Sequence, residues 1–267
     1  MDWLAAVSSL RARRVASVIV TLATTRGHTP RNGGAKMVVS VSEVWGTVGG
    51  GNLEATAVSH ARKMIANASR DPELVKLELN DKAPAEFGLQ CCGGEVTMLL
   101  EPIVTIPSVA IFGMGHVGLE LAHILSRHDL ELFLIDSRPD MLTTDRLAGL
   151  VDGSARVHVR HEPIPESVLP DLPPMTHVLI MTHDHAEDIA LCDSALRQTE
   201  LASIGLIGSK AKWGRFRQRL SAEGHSSQQL ERITTPIGIP GLRAKEPAVI
   251  AVSVAADLLL TFERTSG

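Results

Sequence analysis

The strongest constraint on the fold is a motif of three spaced glycines that follows a short apolar strand. The motif Gly113-Met114-Gly115-His116-Val117-Gly118 comes directly after Val109 to Phe112 and opens a segment with helical periodicity. In that setting Gly113 permits a tight turn, Gly115 lets the backbone approach a pyrophosphate, and Gly118 lets the helix lie close to the strand. The pattern predicts a Rossmann-like unit with the form of a dinucleotide site.

Two charged residues follow the next predicted strand of this unit. Asp136 lies 18 residues after Gly118, a spacing that suits a carboxylate accepting a ribose hydroxyl. Its charge would disfavour a 2′-phosphate, and Arg138 would weaken that preference. Because a fold does not fix a function, the motif leaves open whether NAD(H) or another nucleotide is bound.

The chain divides into two kinds of secondary-structure pattern, with a boundary near Ile106-Pro107. Residues 1–106 predict a small α+β domain, and residues 107–267 predict a doubly wound parallel sheet, so the fold class is α/β. The predicted strands of the first domain are Ala16 to Ala23, Ala35 to Val41, Val44 to Val48, Leu74 to Leu79 and Val96 to Leu100. Its predicted helix is Leu53 to Ala66.

The second domain alternates apolar strands with amphipathic helices. Its predicted strands are Val109 to Phe112, Leu132 to Ile135, Val157 to Val159, Val178 to Met181 and Ser203 to Ile207. Its predicted helices are Met114 to Arg127, Glu187 to Gln198, Lys210 to Ala222 and roughly Pro247 to Phe262, whereas the proline-rich segment Glu162 to Pro174 is expected to be irregular. The apolar length of the last helix predicts that it is packed, with the first domain as one candidate surface.

Charge and composition exclude several classes of partner. The net charge of -4, the 3% aromatic content and the absence of tyrosine argue against a nucleic-acid surface. The best membrane candidate, Ala248 to Leu260, is too short and contains Asp257. Val15 to Ala23 has the length of a signal peptide core, but its β-branched residues predict a strand. We therefore expect a cytoplasmic protein with reduced thiols.

Thr182-His183-Asp184-His185 is a candidate site at the end of a predicted strand of the second domain. His183 and His185 could share a face and bind a metal, or one could act as a general acid. Alternatively, Asp184 and Glu187 are spaced like a capping box, which would make the segment a helix entry.

Two glycine-containing segments of the first domain are suited to anions. Arg26 to Lys36 places Arg26, Arg31 and Lys36 around glycine turns, without the Gly-Lys-Ser/Thr ending of a P-loop. Gly49-Gly50-Gly51-Asn52 leads into the predicted helix, with Asn52 as a plausible N-cap and the helix dipole favouring an anion. The triple glycine is equally consistent with a simple turn from hairpin to helix.

Gln90-Cys91-Cys92-Gly93-Gly94 combines two adjacent cysteines with a glycine pair. Adjacent cysteines do not form an unstrained disulfide, and the third cysteine, Cys192, lies a hundred residues away. The spacing matches no zinc site, so the segment is either a soft sulfur ligand on an open loop or a pair of small buried side chains.

These motifs together resemble the xanthine dehydrogenase accessory protein family of the XdhC/CoxI type. The resemblance rests on Arg26 to Lys36, Gly49 to Glu54, Gln90 to Gly94, the glycine motif, Met181 to His185 and Pro236-Ile237-Gly238. It implies a non-catalytic chaperone that binds molybdenum cofactor, protects it during sulfuration by a cysteine desulfurase, and inserts it into a xanthine dehydrogenase-like molybdoenzyme. It also implies a homodimer, and identifies Cys92 as the candidate contact to molybdenum.

The chemistry of the first domain is compatible with that cofactor, which is a pterin carrying a dithiolene-bound metal and a phosphate. Arg31 and Lys36 would serve the phosphate, Cys92 would approach the metal or its sulfur, and Gly93 and Gly94 would leave room. The role of Cys91 stays open. The alternative function is an NAD(P)-dependent oxidoreductase that uses His183 or His116 as an acid. A third hypothesis is a regulatory protein that senses a nucleotide.

Overall fold

The computed structural model of the chain describes residues 2–79, 94–150, 152–242 and 245–264, with the side chain of Arg264 excepted. Two compact units are present, one formed by Met1–Thr105 with Arg264–Gly267 and the other by Ile106–Glu263. The division falls beside the Ile106-Pro107 pair. No helix within the described residues has both the length and the apolar character needed to cross a bilayer.

The first unit is a five-stranded antiparallel sheet with a helix on each face. Its strands lie in the order β3-β2-β1-β5-β4. They are β1 (Ser17–Arg26), β2 (Lys36–Ser40), β3 (Val44–Gly46), β4 (Glu73–Leu79) and β5 (Gly94–Ile103), and the helices are α1 (Trp3–Ala12) and α2 (Gly51–Ala66).

Alternation along the strands explains why both faces of this sheet are covered. Val18, Val20 and Leu22 of β1 pack against the buried face of α2, whereas Val38 of β2 and the partly buried Ile19 pack against α1. The sequence analysis did not predict α1, although Asp2 caps it by accepting a 2.7 Å hydrogen bond from the Ala5 N–H.

The second unit is a six-stranded, fully parallel sheet in the order β11-β10-β9-β6-β7-β8. Its strands are β6 (Ser108–Phe112), β7 (Glu131–Asp136), β8 (Arg156–His161), β9 (Thr176–Ile180), β10 (Ser203–Leu206) and β11 (Ile233–Thr234). Its α-helices are α3 (His116–Leu125), α4 (Thr144–Leu147), α5 (His185–Arg197), α6 (Lys210–Ala222), α7 (Ser227–Leu230) and α8 (Pro247–Arg264). Short 3₁₀-helices cover Pro139–Leu142, Ala148–Leu150 and Pro165–Asp171.

This topology confirms the predicted fold class. Every predicted strand overlaps an observed one, and the connections reverse direction between β6 and β9, as in doubly wound sheets. The short elements α4, α7 and β11 were not predicted, and Pro165–Asp171 forms a 3₁₀-helix within the segment expected to be irregular. Elements of two to seven residues carry too few apolar positions to show a period.

Helix α8 packs on the parallel sheet. Ala251, Val254 and Leu258 are buried in one cluster with Val109 of β6 and Leu132 of β7. The structure therefore gives this helix a partner surface within the second unit, where the sequence analysis had offered the first domain as a candidate. The outcome follows from the long apolar stripe of α8, which matches the apolar face of the central strands.

Helix α3 lies unusually close to the glycine turn that precedes it. A Cβ added at Gly118 would collide with the Gly113 carbonyl oxygen and would lie 3.4 Å from Cγ2 of Ile111. The predicted role of Gly118 in close helix–strand packing thus agrees with the geometry.

We expect Gly118→Ala to destabilise the chain by about 1–3 kcal/mol, because the added methyl group meets backbone rather than a movable side chain. Gly214→Ala is the matched control, since Gly214 also lies in a helix but has open space around its Cα. That change should stabilise the fold by about 0.5–1 kcal/mol. Urea denaturation of both variants measures the two changes in the free energy of unfolding. Equal changes in the two variants would contradict the proposed close packing at Gly118.

Candidate functional site

The carboxyl ends of β6 and β9 lie side by side where the strand order of the second unit reverses, a place that we call the crevice, and two of the predicted motifs meet there. The glycine turn follows β6, and Thr182 to His185 follow β9. Gly113 has a φ of 105°, and a Cβ at this position would lie 2.7 Å from the Thr182 Cα. Ligands of doubly wound sheets bind at this point of reversal, so the motifs lie where a ligand is expected.

The backbone N–H and the backbone carbonyl group of Met114, in the middle of the glycine turn, are each held by a charged side chain. Its N–H donates to Oδ2 of Asp136 over 2.7 Å, and its carbonyl oxygen accepts from Nη2 of Arg146 over 3.0 Å. The Met114 side chain is fully buried. The turn is therefore preorganised by residues of the chain itself.

Asp136 occupies the predicted position at the end of β7 but has a different set of partners from the predicted ribose hydroxyl. Besides the Met114 N–H, the carboxylate accepts bonds of 2.9 Å from the Arg138 N–H and of 3.0 Å each from Nε and Nη2 of Arg138. The side chain is 2% exposed. Four donors occupy a group with about four acceptor sites, which leaves little capacity for a ribose.

The ionisation of Asp136 reflects two opposing effects. Burial raises the pKa of this carboxyl, but the hydrogen bonds from the side chain and backbone of Arg138 and from the Met114 N–H outweigh it. The pKa of Asp136 is therefore below its ordinary value. The carboxylate form is the one that holds the glycine turn.

The start of α3 is open to an anion. Its N-cap residue is Gly115, no side chain caps it, and no acidic residue lies in its first turn. A Cβ at Gly115 would meet nothing within 4 Å, and His116 is exposed. N–H groups at a helix start attract phosphate, and the phosphate-facing role of Gly115 stays a prediction.

Asp184 caps α5, as the sequence predicted. Its Oδ1 accepts from the N–H groups of Ala186 and Glu187 over 2.5 and 3.4 Å, and these bonds lower the pKa of Asp184. A capping box would also need the Glu187 side chain to accept from the Asp184 N–H. Glu187 Oε2 instead lies 3.9 Å from His183 Nδ1.

His183 and His185 have different surroundings, although sequence spacing had grouped them as a metal pair. The His183 side chain is 47% exposed, whereas the His185 ring packs edge-on against Phe216 with 6.0 Å between ring centroids. Across the described parts of the chain, no three His, Cys, Asp or Glu side chains converge as a metal site requires.

A buried ion pair beneath this segment was missed by the sequence analysis. Asp188 Oδ2 accepts a 2.5 Å bond from Lys212 Nζ, and Asp188 Oδ1 accepts from the N–H and Oγ1 of Thr182. The Asp188 and Lys212 side chains are 1% and 11% exposed. The pair fixes Thr182 at the crevice, and its partners lie 24 residues apart, so no local pattern could reveal it.

Cys192 lies close to this ion pair and is chemically quiet. Burial and the nearby charge of Asp188 raise the pKa of its thiol to about 12. The residue is fully buried among apolar side chains. Cys192 therefore acts as a small core residue rather than as a reactive thiol.

Three segments of the first unit meet at one end of its sheet. A Cβ at Gly94 would collide with the carbonyl oxygen of His28 and would lie 2.7 Å from that of Arg26. A Cβ at Gly49 would lie 2.6 Å from Cγ of Pro30. The β1–β2 loop thus contacts both the glycine turn before α2 and the first residue of β5.

The start of α2 presents open backbone at this end of the sheet. The helix begins at Gly51 with Gly50 as its N-cap, and no side chain caps it. Asn52 therefore lies inside the first turn, which corrects its predicted role as N-cap. Oε1 of Glu54 accepts a hydrogen bond from the Thr47 hydroxyl and lies 3.4 Å from the Gly49 backbone nitrogen, so one carboxylate is already present here.

The three predicted cations of the first unit are not equivalent. Arg26 is the exposed last residue of β1, and Arg31 is exposed on the β1–β2 loop. Lys36 Nζ instead donates to Thr21 Oγ1 over 2.7 Å and lies 5.2 Å from the centre of the Trp3 ring. Strand alternation directs Lys36 to the face covered by α1, away from α2. The predicted phosphate role thus fits Arg31 better than Lys36.

An open volume of about 770 Å³ borders the exposed side of α2, from the helix start toward its end. Its lining residues include Gly51, Glu54, Val58, Arg62 and Lys63. Gln90, Cys91, Cys92 and Gly93 lie outside the described residues.

Acid stability tests the role of Asp136. Because the pKa of Asp136 is lower in the folded than in the unfolded chain, its stabilising contribution is present above the unfolded value and is lost as the pH falls through the folded one. We expect the free energy of unfolding to fall below about pH 4 and expect Asp136→Asn to reduce that fall while lowering stability at neutral pH. Denaturant titrations across this pH range provide the measurement.

Asp140→Asn serves as its control because Asp140 is an exposed carboxylate near Arg138. This variant should keep the acid dependence of the unaltered chain. An unchanged acid dependence in Asp136→Asn would show that the carboxylate does not stabilise the glycine turn.

Comparison with known proteins places these motifs in a family. A family model described as the XdhC Rossmann domain matches residues 109–258, and one described as the XdhC and CoxI family matches residues 10–77. The uncharacterized protein YqeB of Escherichia coli (strain K12) is 24% identical over 234 residues, which are 88% of this chain and 41% of that protein. The chain therefore spans less than half of the length of that relative.

Among solved structures, a protein described as a xanthine dehydrogenase from Bacillus halodurans is 19% identical, with 99% of this chain and 96% of that chain covered and a TM-score of 0.48. Because the Rossmann-domain model alone covers more than half of the sequence, the chain belongs to the XdhC family, as its motifs predicted.

Proposed function

We propose that this protein is an accessory factor in the maturation of a xanthine dehydrogenase-like molybdoenzyme and that its first unit binds molybdenum cofactor. Membership in the XdhC family supports the accessory role. The cofactor, its sulfuration by a cysteine desulfurase, and assembly as a homodimer in the reducing cytoplasm are the further parts of the proposal.

The observation that carries the cofactor proposal is the meeting of three motif segments at one end of the first sheet. The β1–β2 loop, the glycine turn and Gly94 lie together there, although they are separated by up to sixty-eight positions along the chain. A pterin with a phosphate tail needs a cradle of N–H groups and cations beside a cavity. The open start of α2 and the exposed Arg26 and Arg31 supply the N–H groups and the cations, and an open volume adjoins them along α2.

The charge of Glu54 works against an anion at the start of α2. A carboxylate in the first helical turn already interacts with the dipole, and its partners Thr47 and Gly49 belong to the same turn. Arg26, the last residue of β1, lies opposite Glu95 of β5, whereas Arg31 is exposed on the β1–β2 loop and can donate charge-assisted hydrogen bonds to a phosphate. Arg31 is our candidate for the phosphate because Lys36 lies on the other face.

Cys92 is the proposed contact to the metal centre or to its sulfur. It precedes Gly94 by two residues in the sequence, and Gly94 lies against the backbone of the cationic loop. A thiolate is a soft ligand suited to a sulfur-rich molybdenum centre. Cys192 cannot take this role in the folded chain because its thiol is buried with a pKa of about 12.

The second unit is proposed to bind a nucleotide, with Gly115 and the start of α3 facing the phosphates. The preorganised turn and the uncapped helix favour this assignment. An oxidoreductase that uses His183 or His116 as an acid is the alternative function. Both side chains are exposed near the crevice, as that chemistry would require.

Cys92→Ala should abolish activation of a molybdenum-dependent client apoenzyme and reduce the molybdopterin that copurifies with the protein. Cys192→Ala is the matched control, because it removes a thiol that is buried in the core of the second unit. Arg31→Gln should weaken cofactor binding about tenfold or more, as expected for the loss of a charge-assisted hydrogen bond.

Fluorescence of the released pterin and the activity of the reconstituted client enzyme are the two readouts. Retention of both in Cys92→Ala would overturn the cofactor proposal. Thermal unfolding of each variant separates loss of the site from loss of the fold.

A further inference from the structure

We infer that the second unit reads the ribose side of its nucleotide through Arg138 rather than through Asp136, and that it therefore takes a 2′-phosphorylated dinucleotide such as NADP(H) in preference to NAD(H). This inference rests on the proposed binding of a nucleotide in the crevice. It reverses the preference that the sequence position of Asp136 alone indicates.

The first step is the saturation of Asp136. A carboxylate at the end of this strand favours NAD(H) because it accepts the hydroxyl groups of the ribose. Here the Asp136 oxygens accept from the N–H of Met114 and from the N–H, Nε and Nη2 of Arg138, at 2.7 to 3.0 Å. A ribose could gain these oxygens only by displacing donors that hold the glycine turn and Arg138 in place.

The second step is the neutralisation of the same carboxylate. Repulsion between Asp136 and a 2′-phosphate is the usual reason for rejecting the phosphorylated cofactor. The two-point ion pair with Arg138 removes most of that repulsion, since the two charges cancel at contact distance. Asp136 therefore favours neither NAD(H) nor NADP(H).

The third step is the capacity left on Arg138. A guanidinium carries five N–H donors, and Asp136 uses Nε and one N–H of Nη2. The Arg138 side chain is 29% exposed, so its remaining N–H groups can reach a ligand. The ion pair also restrains the orientation of the guanidinium before a ligand arrives, which reduces the entropy lost when a phosphate binds.

Two carboxylates oppose this preference. Asp140 and Glu187 are the other acidic side chains that act on Arg138, and Arg146 adds a positive charge at the glycine turn. Asp140 is exposed, so solvent screens it, and Glu187 lies 3.9 Å from the imidazole of His183. Direct hydrogen bonds from Arg138 to a phosphate act at contact distance and outweigh these longer interactions.

Calorimetric titration of the full-length chain with NADP⁺ and with NAD⁺ tests the inference. We expect NADP⁺ to bind at least about tenfold more tightly, the effect of one charge-assisted contact. Arg138→Gln should reduce the ratio of the two Kd values to within about threefold, whereas Arg138→Lys, which keeps the charge but loses the fork, should give an intermediate ratio. Asp136→Asn should weaken both ligands, since it loosens the glycine turn, and should weaken NADP⁺ more, since it also releases the Arg138 guanidinium.

Arg156→Gln is the matched control, because Arg156 is an exposed arginine at the start of β8 that pairs with Glu131 at the start of β7. It should leave the ratio unchanged. Thermal unfolding of each variant shows whether the protein is folded, and the ratio of two Kd values on one sample does not depend on its active fraction.

Equal binding of the two dinucleotides, tighter binding of NAD⁺, or an unchanged ratio in Arg138→Gln would overturn the assignment of specificity while leaving nucleotide binding in place. Absence of binding by both would overturn the nucleotide proposal and this inference together. The two failures are therefore distinguishable.

Discussion

The Asp136 carboxylate is the interaction on which the crevice of the second unit depends. It connects the end of β7 to the Met114 peptide in the turn after β6 and to the backbone and side chain of Arg138. The turn must leave the strand sharply and let α3 return over it, which brings Gly118 against the Gly113 carbonyl. A buried carboxylate is costly unless its acceptors are filled, and here four donors fill them.

A second buried carboxylate, that of Asp188, likewise holds the backbone that follows β9 at the crevice. Asp188 holds Thr182 after β9 and is itself neutralised by Lys212 of α6. Each of the two strands that border the point of reversal is thus followed by a segment held by an acidic side chain with a basic partner. Such pairs add little net stability, but removing one partner leaves an uncompensated charge, so they specify one backbone arrangement. A site built on this frame needs little reorganisation when a ligand binds.

The first unit positions its candidate site by different means. Its sheet packs against a helix on each face, and the motif segments lie at one end of the strands. Close packing of Gly94 on the β1–β2 loop and of Gly49 on Pro30 gathers the motif segments at one such end. Small residues at these contacts let backbone meet backbone, which leaves N–H groups and cations rather than apolar side chains around the proposed phosphate.

The sequence by itself determined the α/β class, the strands of both units other than the two-residue β11, the cap at Asp184 and the family, because hydrophobic periodicity and glycine spacing are local and survive without a partner surface. It also identified Asp136 and Arg138 but not how they interact, since an ion pair between neighbours depends on rotamers set by packing. Only the tertiary structure separated Lys36 from the start of α2, paired Asp188 with Lys212 and assigned α8 to the parallel sheet. These outcomes depend on which face of an element meets which distant partner, and that choice is made by packing of the whole unit rather than by any stretch of chain.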